Sequence, residues 1–398
     1  MNAHPPSGLG PKRAVPVLLQ NGFRPFFLLA GLYGSLLIPL WLGAYIKGWF
    51  ELPWTAGLFH GHELVFGFVT AAISGFLLTA VPNWERSRPA TSWRLLTLVS
   101  IWIIGRAAMW SAGILPPLVV AVLDIAYLPL LVVIGIPELI KNKSNRNKIF
   151  IVLILLLGFG NILTHMSAGG FDVWANPLLI SIDIVVIIIA VLGGRVIPAF
   201  TAGALGQSLG HTKKVRPHST IDMIAIISVV AVFLSDVVGG YLTNNYPVAS
   251  IVVVVAGIIN LVRMRGWLTS HTLRQPIVWV LHLGYAWLAI GMILRGVFEY
   301  ADMGPLALHG VAVGAIGTMT LGIMSRAALG HSGRALVTPR LVVISYVLVS
   351  VAAIARLCQP LLGNDALIIA AGAWSIAFAL FTMTYLPIIA LPRINPPN

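Results

Sequence analysis

Cysteine is almost absent from this chain: Cys358 is the single cysteine among 398 residues. One thiol excludes internal disulfides, iron–sulfur clusters held by cysteines, and covalent haem attachment through a CxxCH motif. Any bound metal must therefore take its ligands from histidine, methionine or carboxylate side chains.

Charge is also scarce, since 9% of the residues are charged and 58% are hydrophobic. Long apolar windows fill nearly the whole chain, and each can cross about 30 Å of hydrocarbon as a helix. We predict an all-α fold, a polytopic membrane protein with about 12 transmembrane helices. These windows are 25–46, 57–82, 93–113, 116–140, 149–168, 176–203, 219–241, 247–264, 276–299, 304–327, 340–358 and 365–391. They form one transmembrane domain, 25–391, between a cytoplasmic N-terminal segment, 1–24, and a short cytoplasmic tail, 392–398.

The net charge of +13 would suggest a nucleic-acid partner in a soluble protein. Here the cations collect in alternate loops, which is the positive-inside pattern of a membrane protein. The pattern predicts cytoplasmic termini and contact with membrane lipid, and it argues against nucleic acid. One cationic loop contains Lys141, Lys143, Arg146 and Lys148, whereas the opposite loops hold Lys47 beside Glu51, Asp172, Glu299, Asp302 and Asp365.

Three further features are missing. The first 24 residues lack the apolar core of a cleavable signal peptide, so span one is expected to be its own insertion signal. The sequence has no extramembrane segment long enough to form a soluble domain. No histidine-bearing segment recurs at a half-chain offset, which weakens the case for a transporter built from two repeats.

Histidines are the most informative polar residues in the spans. His60 and His62 lie at the head of the apolar run Leu64–Pro82, and the topology places His165 and His309 near the same surface. Ionisable residues inside a membrane usually mark a functional site. A metal site in the outer part of the membrane is therefore predicted, and the alternative is that these histidines only anchor helices at the interface.

Helical geometry separates the two histidines of span two. Residues two apart diverge by about 200°, so His60 and His62 are predicted to serve two different centres. His60 and Glu63 are three apart and share a face, which gives a mixed imidazole and carboxylate site for iron or copper as an alternative. Asn161 precedes His165 by four residues, and its amide is predicted to orient that ring.

Intramembrane arginines follow the same layering. Arg106, Arg295 and Arg356 are predicted in the outer layer, and Arg195 lies further inward. A porphyrin explains this layer, because axial histidines would hold its iron and guanidinium groups would bind its propionates. The alternative is that these arginines pair with Glu299, with Asp183 or with backbone carbonyls.

His282 falls deeper, about a third of the way up span nine from the cytoplasmic end. It either ligates a second haem or is a buried imidazole with satisfied hydrogen bonds. The remaining histidines are predicted to be solvated residues of the tail and cytoplasmic loops, namely His4, His211, His218, His271 and His331.

Several segments together resemble the NnrS family over essentially the whole chain. They are NGFRPFF at 21–27, FHGHE at 59–63, GFLLTAVPNW at 75–84, GGRVIPAFT at 193–201, and LHG at 308–310 leading to RAALGHSGR at 326–334. The resemblance implies a bacterial inner-membrane protein with haem and copper, linked to nitric oxide, denitrification and nitrosative-stress defence. It also places His282 and Arg195 in family motif segments.

The resulting hypothesis is a protein that binds nitric oxide at a haem near the periplasmic side, with one or two b-type haems and copper as a further candidate. If it is an enzyme, it would be a nitric oxide reductase, with protons carried by Glu63, Asp183 and Glu299 and electrons from a quinol or a cytochrome. The five intramembrane histidines leave copper poorly provided for. The rival hypothesis is a non-redox transporter or sensor of a small molecule.

Overall fold

The computed structural model describes residues 15–141, 147–208, 215, 217–242, 246–299 and 303–394. His4, His211 and most of the predicted N-terminal segment lie outside these residues. The described chain is helical without a strand, so the all-α prediction is confirmed. Its twelve long helices are α1 Phe23–Lys47, α2 Ala56–Glu85, α3 Trp93–Trp110, α4 Pro117–Gly135, α5 Ile149–Ala168, α6 Pro177–Ser208, α7 Ser219–Leu242, α8 Tyr246–Arg263, α9 Pro276–Glu299, α10 Gly304–His331, α11 Arg340–Leu357 and α12 Gln359–Ala390.

Within these ranges, eleven helices are long and apolar enough to cross a membrane. The remaining predicted span, 93–113, forms α3. Arg94 at its start and Arg106 in its last turns lower its mean hydropathy, which explains why α3 is not among the eleven helices that are apolar enough to cross a membrane. The fold is therefore that of a polytopic helical membrane protein.

Local sequence explains many of the helix ends. Proline occupies the first position of α4, α6 and α9, where its missing N–H costs no hydrogen bond. Gly48 ends α1 in the left-handed conformation, with φ of 61°. Gly363 has φ of 58° and ψ of −135° and kinks α12 near its start. The candidate span begins at Gln359, six residues before the predicted residue 365, and the kink lies between these two positions.

Helices α2 and α6 form the centre of the bundle, since 78% and 83% of their apolar windows are buried, against 17% for α7. The first helix packs against the last, and one hydrophobic core runs from Phe23 to Ile389. We call the side where α2 begins, α5 ends and α10 begins the outer side; the loop charges predict that it faces the periplasm.

Two of the central helices widen into π-helix directly after a histidine of interest. In α2 the π segment is Glu63–Val69, following His62, and in α10 it is Gly310–Gly317, following His309. A π segment carries an extra residue in its turn and is found mostly at functional sites. It also means that α-helical angular spacing does not extend across these points.

On the inner side, Arg263 of α8 joins three helices. Its guanidinium donates to the carbonyl of Ala190 at 2.8 Å, to the Tyr285 hydroxyl at 2.6 Å and to Asp222 at 2.7 Å. Gly194 of α6 leaves the space that the guanidinium fills, because a Cβ there would lie 1.8 Å from Nη2. The Gly-Gly-Arg segment of the sequence thus has a packing role at its second glycine.

Replacement of Gly194 by alanine should therefore destabilise the fold. The added methyl group must displace a guanidinium that makes three hydrogen bonds to other helices, and we expect a loss of about 1–3 kcal/mol in the free energy of unfolding. Gly203→Ala in the same helix is the matched control, because a Cβ there meets nothing within 4 Å. Thermal denaturation of the detergent-solubilised variants measures the difference. Equal unfolding temperatures for the two variants would contradict this role.

Candidate metal centre

His62 lies at the centre of a closed polar cluster between α2, α4 and α5. Its Nδ1 is 2.8 Å from Oε1 of Glu63, and its Nε2 is 3.1 Å from Oδ2 of Asp124 and 2.9 Å from Oδ1 of Asn161. Both ring nitrogens therefore face oxygen acceptors. A neutral imidazole carries only one N–H, so a second proton or a metal cation is required to satisfy the other nitrogen.

His165 completes a set of three convergent ligands. Its Nε2 is 3.0 Å from the same Asp124 oxygen, and the imidazole centroids of His62 and His165 are 5.4 Å apart. One donor atom each from His62, Asp124 and His165 lies within 4.8 Å of the others. Two imidazoles and one carboxylate form a donor set suited to iron, copper or zinc. Trp54 meets both imidazoles edge-on, with centroids 5.0 Å away.

The carboxylates of the cluster are bound by Arg106 from α3. Its Nη1 donates to Glu63 at 2.5 Å and its Nη2 donates to Asp124. Tyr33 of α1 donates its hydroxyl proton to Glu63 and accepts a hydrogen bond from Trp110 at 2.9 Å. Glu63 therefore fixes the orientation of the His62 ring from behind, as carboxylates do for metal-bound histidines.

The charges of the cluster do not balance without a further cation. Glu63 and Asp124 carry two negative charges when ionised, and both are fully enclosed. Arg106 supplies one positive charge. Because an uncompensated charge is costly inside hydrocarbon, the cluster favours one more positive charge, either on an imidazole or as a metal ion.

Glycine makes room for this arrangement at one point. A Cβ on Gly67 would lie 2.6 Å from the Tyr33 ring and 3.3 Å from the Arg106 guanidinium. A larger residue would push both partners of Glu63 away from it.

The grouping of Glu63 corrects one expectation from helical spacing. Glu63 lies with His62, and not with His60 on a common face, so the structure does not form the mixed His60 and Glu63 site. The physical reason is the π segment that begins at Glu63, because the angular spacing of an α-helix ends there.

Asp124 is a candidate site residue that the sequence pattern did not predict. It is 2% exposed and lies in the apolar run of α4. An acidic side chain at that depth is itself a signal for a buried partner, so hydropathy alone could have found it. Its partners could not have been named, because they come from three other helices. Asn161 donates its amide to Asp124 at 2.8 Å and contacts His62, so it orients the ligands through these two residues.

His60 belongs to a second outer group, as the two-residue spacing predicts. Its ring lies against Trp41, with centroids 4.3 Å apart, and its Nδ1 is buried without a hydrogen-bond partner among the described residues. His309 and Arg356 are its electrostatic neighbours. Nδ1 of His309 is 3.0 Å from the carbonyl of Pro305. We call His60, His309 and Arg356 the outer histidine group.

His282 lies outside both groups. Its Nε2 is 2.9 Å from the Thr201 hydroxyl and its Nδ1 is 2.9 Å from the Thr269 hydroxyl, and the residue is 1% exposed. This is the geometry of a satisfied buried imidazole, one of the two alternatives that depth had left open. Of the histidines predicted in loops, His218 is exposed, whereas His271 and His331 are half-buried.

The predicted propionate arginines mostly have protein partners. Arg106 binds the carboxylates described above, and Arg295 binds Asp183 and Asp236. Both follow the alternative in which arginines pair with side chains of the protein. Arg356 donates to Gln359, and Arg195 lies inward, where it donates to Asn147 at 3.2 Å.

The fold and these two outer groups define a multi-pass helical membrane protein with a histidine and carboxylate centre inside the bundle. The chain belongs to the NnrS family: the family model described as NnrS protein matches residues 17–393. Membership relates the chain to nitric oxide. The search of curated proteins found no match.

Two arginines of α3 allow a test of the buried network. Arg106→Gln should lower the free energy of unfolding by about 3–5 kcal/mol, because it leaves buried carboxylates without their cation. Arg94→Gln removes a partly exposed pair, 3.6 Å from Glu138, together with hydrogen bonds to the Ile134 carbonyl at 3.0 and 2.6 Å, and should cost about 1–2 kcal/mol. Chemical denaturation in detergent compares the two. A similar loss in both variants would show that the buried network contributes no more than a surface pair.

Proposed function

We propose that this protein binds nitric oxide at a b-type haem held by the outer histidine group. His62, Asp124 and His165 would hold a second metal, for which copper is the candidate. Both sites would lie in the periplasmic half of a bacterial inner membrane, in a chain with cytoplasmic termini. The family relationship and the geometry of the two outer groups support this proposal.

The main support for this proposal is the hydrogen bonding of the imidazole nitrogens in the outer histidine group. His309 forms hydrogen bonds through Nδ1, which donates to the carbonyls of Pro305 and Leu306. Its Nε2 is therefore unprotonated, and its lone pair can bind a metal. Metal-bound histidines are commonly oriented in this way. The buried Nδ1 of His60 has no partner among the described residues, which costs about 1–3 kcal/mol unless a ligand satisfies it.

The donor set fits a haem at this place. His309 would bind the haem iron, His60 would lie beside the haem without binding its iron, and Arg356 would supply a guanidinium for a propionate. Bound there, the haem supplies an iron with a coordination position for a diatomic gas. Nitric oxide is neutral and apolar, so it can reach a site inside the membrane without a polar channel.

The His62 centre fits a second metal for a different reason. The convergent nitrogens and the Asp124 oxygen form a closed set that lacks one positive charge, and a cation supplies it. Five intramembrane histidines are too few for both centres, and Asp124 would serve as a metal ligand in place of a further imidazole. A metal there would supply a second redox centre close to the haem.

Reduction is the reaction that two such centres would support. Two nitric oxide molecules, two electrons and two protons yield one nitrous oxide and one water. A quinol or a cytochrome would donate the electrons. Glu63 would relay protons between the Tyr33 hydroxyl and the His62 ring without storing one, while Asp183 and Glu299 are further proton carriers.

Purified protein should therefore show a Soret band and the reduced-state bands of b-type haem. Because His60 and His62 lie in separate groups, His60→Ala should change the haem spectrum, whereas His62→Ala should reduce the content of the second metal. Optical spectra and elemental analysis of the two variants measure this, with His218→Ala as an exposed control. Colourless, metal-free protein from haem-replete cells would favour the non-redox transporter or sensor.

Nitric oxide should shift the Soret band of the reduced protein, and His309→Ala should abolish the shift. His331→Ala at the opposite end of the same helix is the matched control and should retain it. Nitrous oxide release in the presence of a reduced donor then tests for a reductase. Identical spectra with and without nitric oxide would end the proposal of gas binding, and binding without nitrous oxide would assign a protective role.

A further inference from the structure

A second buried ionic cluster lies between α6, α7 and α9, away from both metal groups. Arg295 of α9 donates to Asp183 of α6 at 3.2 Å and to Asp236 of α7 at 2.5 Å. The three side chains are 5%, 5% and 6% exposed, in that order. Two carboxylates thus share one guanidinium inside the bundle.

The hydrogen bonds of this cluster are incomplete. Oδ2 of Asp183 is buried and has no partner in the described part of the chain, although the shared Arg295 guanidinium holds the carboxylates of Asp183 and Asp236 next to each other. Two ionised carboxylates cannot bond to one another, because neither carries a donor. A proton on either oxygen would complete the contact.

Among the described residues, Arg295 is the one cation paired with either carboxylate. Glu299, one turn along α9, is a further titratable neighbour of Arg295, and it is an acid. Its Oε2 is also buried without a partner in the described part of the chain. Helix α8 packs against this part of α9 at Gly296 with its uncharged Ser250.

We propose that Asp183, Asp236 and Arg295 form a proton-binding site in which the two carboxylates share one proton. One guanidinium then balances one carboxylate, and the shared proton neutralises the other, as in paired carboxylates that cannot both ionise. Glu299, half-buried at the outer end of α9, is the acid through which this proton exchanges with the outer surface.

The position of α6 connects this site with the metal centre. A Cβ on Gly61, next to His62, would lie 2.5 Å from Leu178 of α6, and a Cβ on Gly160, next to Asn161, would lie 2.3 Å from Ser181. Asp183 follows directly on the same helix. If the protein reduces nitric oxide, this site stores one of the two protons that the reaction consumes, and that part of the inference rests on the proposed function.

Infrared spectra of the purified full-length protein, compared between H₂O and D₂O, test the proton site without any gas or electron donor. Near neutral pH, wild-type protein should show the C=O stretch of one protonated carboxylic acid, shifted in D₂O. Asp183→Asn and Asp236→Asn should each lose this band, because the remaining carboxylate balances Arg295. Arg295→Gln should gain a second band, since both acids then stay protonated.

Asp172→Asn removes an exposed acid on the outer side and is the matched control, which should keep the wild-type band. Retention of the band in both buried aspartate variants, or no such band in wild-type protein, would overturn the proposal. The two aspartate variants decide the question even if Arg295→Gln fails to fold.

The link to turnover is tested separately. With wild-type protein that releases nitrous oxide, Asp183→Asn and Asp236→Asn should slow the release by about tenfold or more, within the range of general acid–base effects, while the Soret shift with nitric oxide is unchanged. Wild-type rates in both variants would overturn the proton-supply role. If wild-type protein shows no turnover but gives the expected infrared result, the proposed reductase activity is wrong and the proposed proton site is retained.

Discussion

The cost of an unpaired charge in a medium of low dielectric constant determines the organisation of this protein. In hydrocarbon no water satisfies a carboxylate or a guanidinium, so each must find its partner on another helix. Arg106, Arg263 and Arg295 each bind side chains from other helices. Arg106 joins its sequence neighbours α2 and α4, whereas Arg263 and Arg295 both reach α6. The polar side chains therefore specify which helices meet, while the apolar side chains fill the space between them.

The two acidic clusters respond differently to the same constraint. Around His62, the cluster contains two carboxylates, one arginine and two imidazoles, and the imidazole nitrogens can bind a metal cation. Around Arg295, no histidine of the described residues joins the two carboxylates in a ligand group, so a proton is the cation that fits. The chemistry available at each place thus follows from whether histidine is present.

Much of the fold could be predicted from the sequence, because a helix that crosses a membrane is defined by length and apolarity alone. The positions of α1 to α12, and the separation of His60 from His62, follow from that rule and from helical geometry. The roles of Asp124 and Asp236 could not be predicted, because a side chain's partner on a distant helix depends on how the helices pack. The pairing of Glu63 with His62 was hidden by the π segment, which has no simple signature in the residues.

The order of the ligands along the chain bears on how the protein is made. Every side chain of the His62 centre comes from α1 to α5, between Tyr33 and His165. All of these residues are therefore translated before α6. The outer histidine group, by contrast, is complete only after His309 and Arg356 in α10 and α11 have been translated. The two groups thus divide along the chain, one within its first five helices and the other shared between α2 and the last third of the sequence.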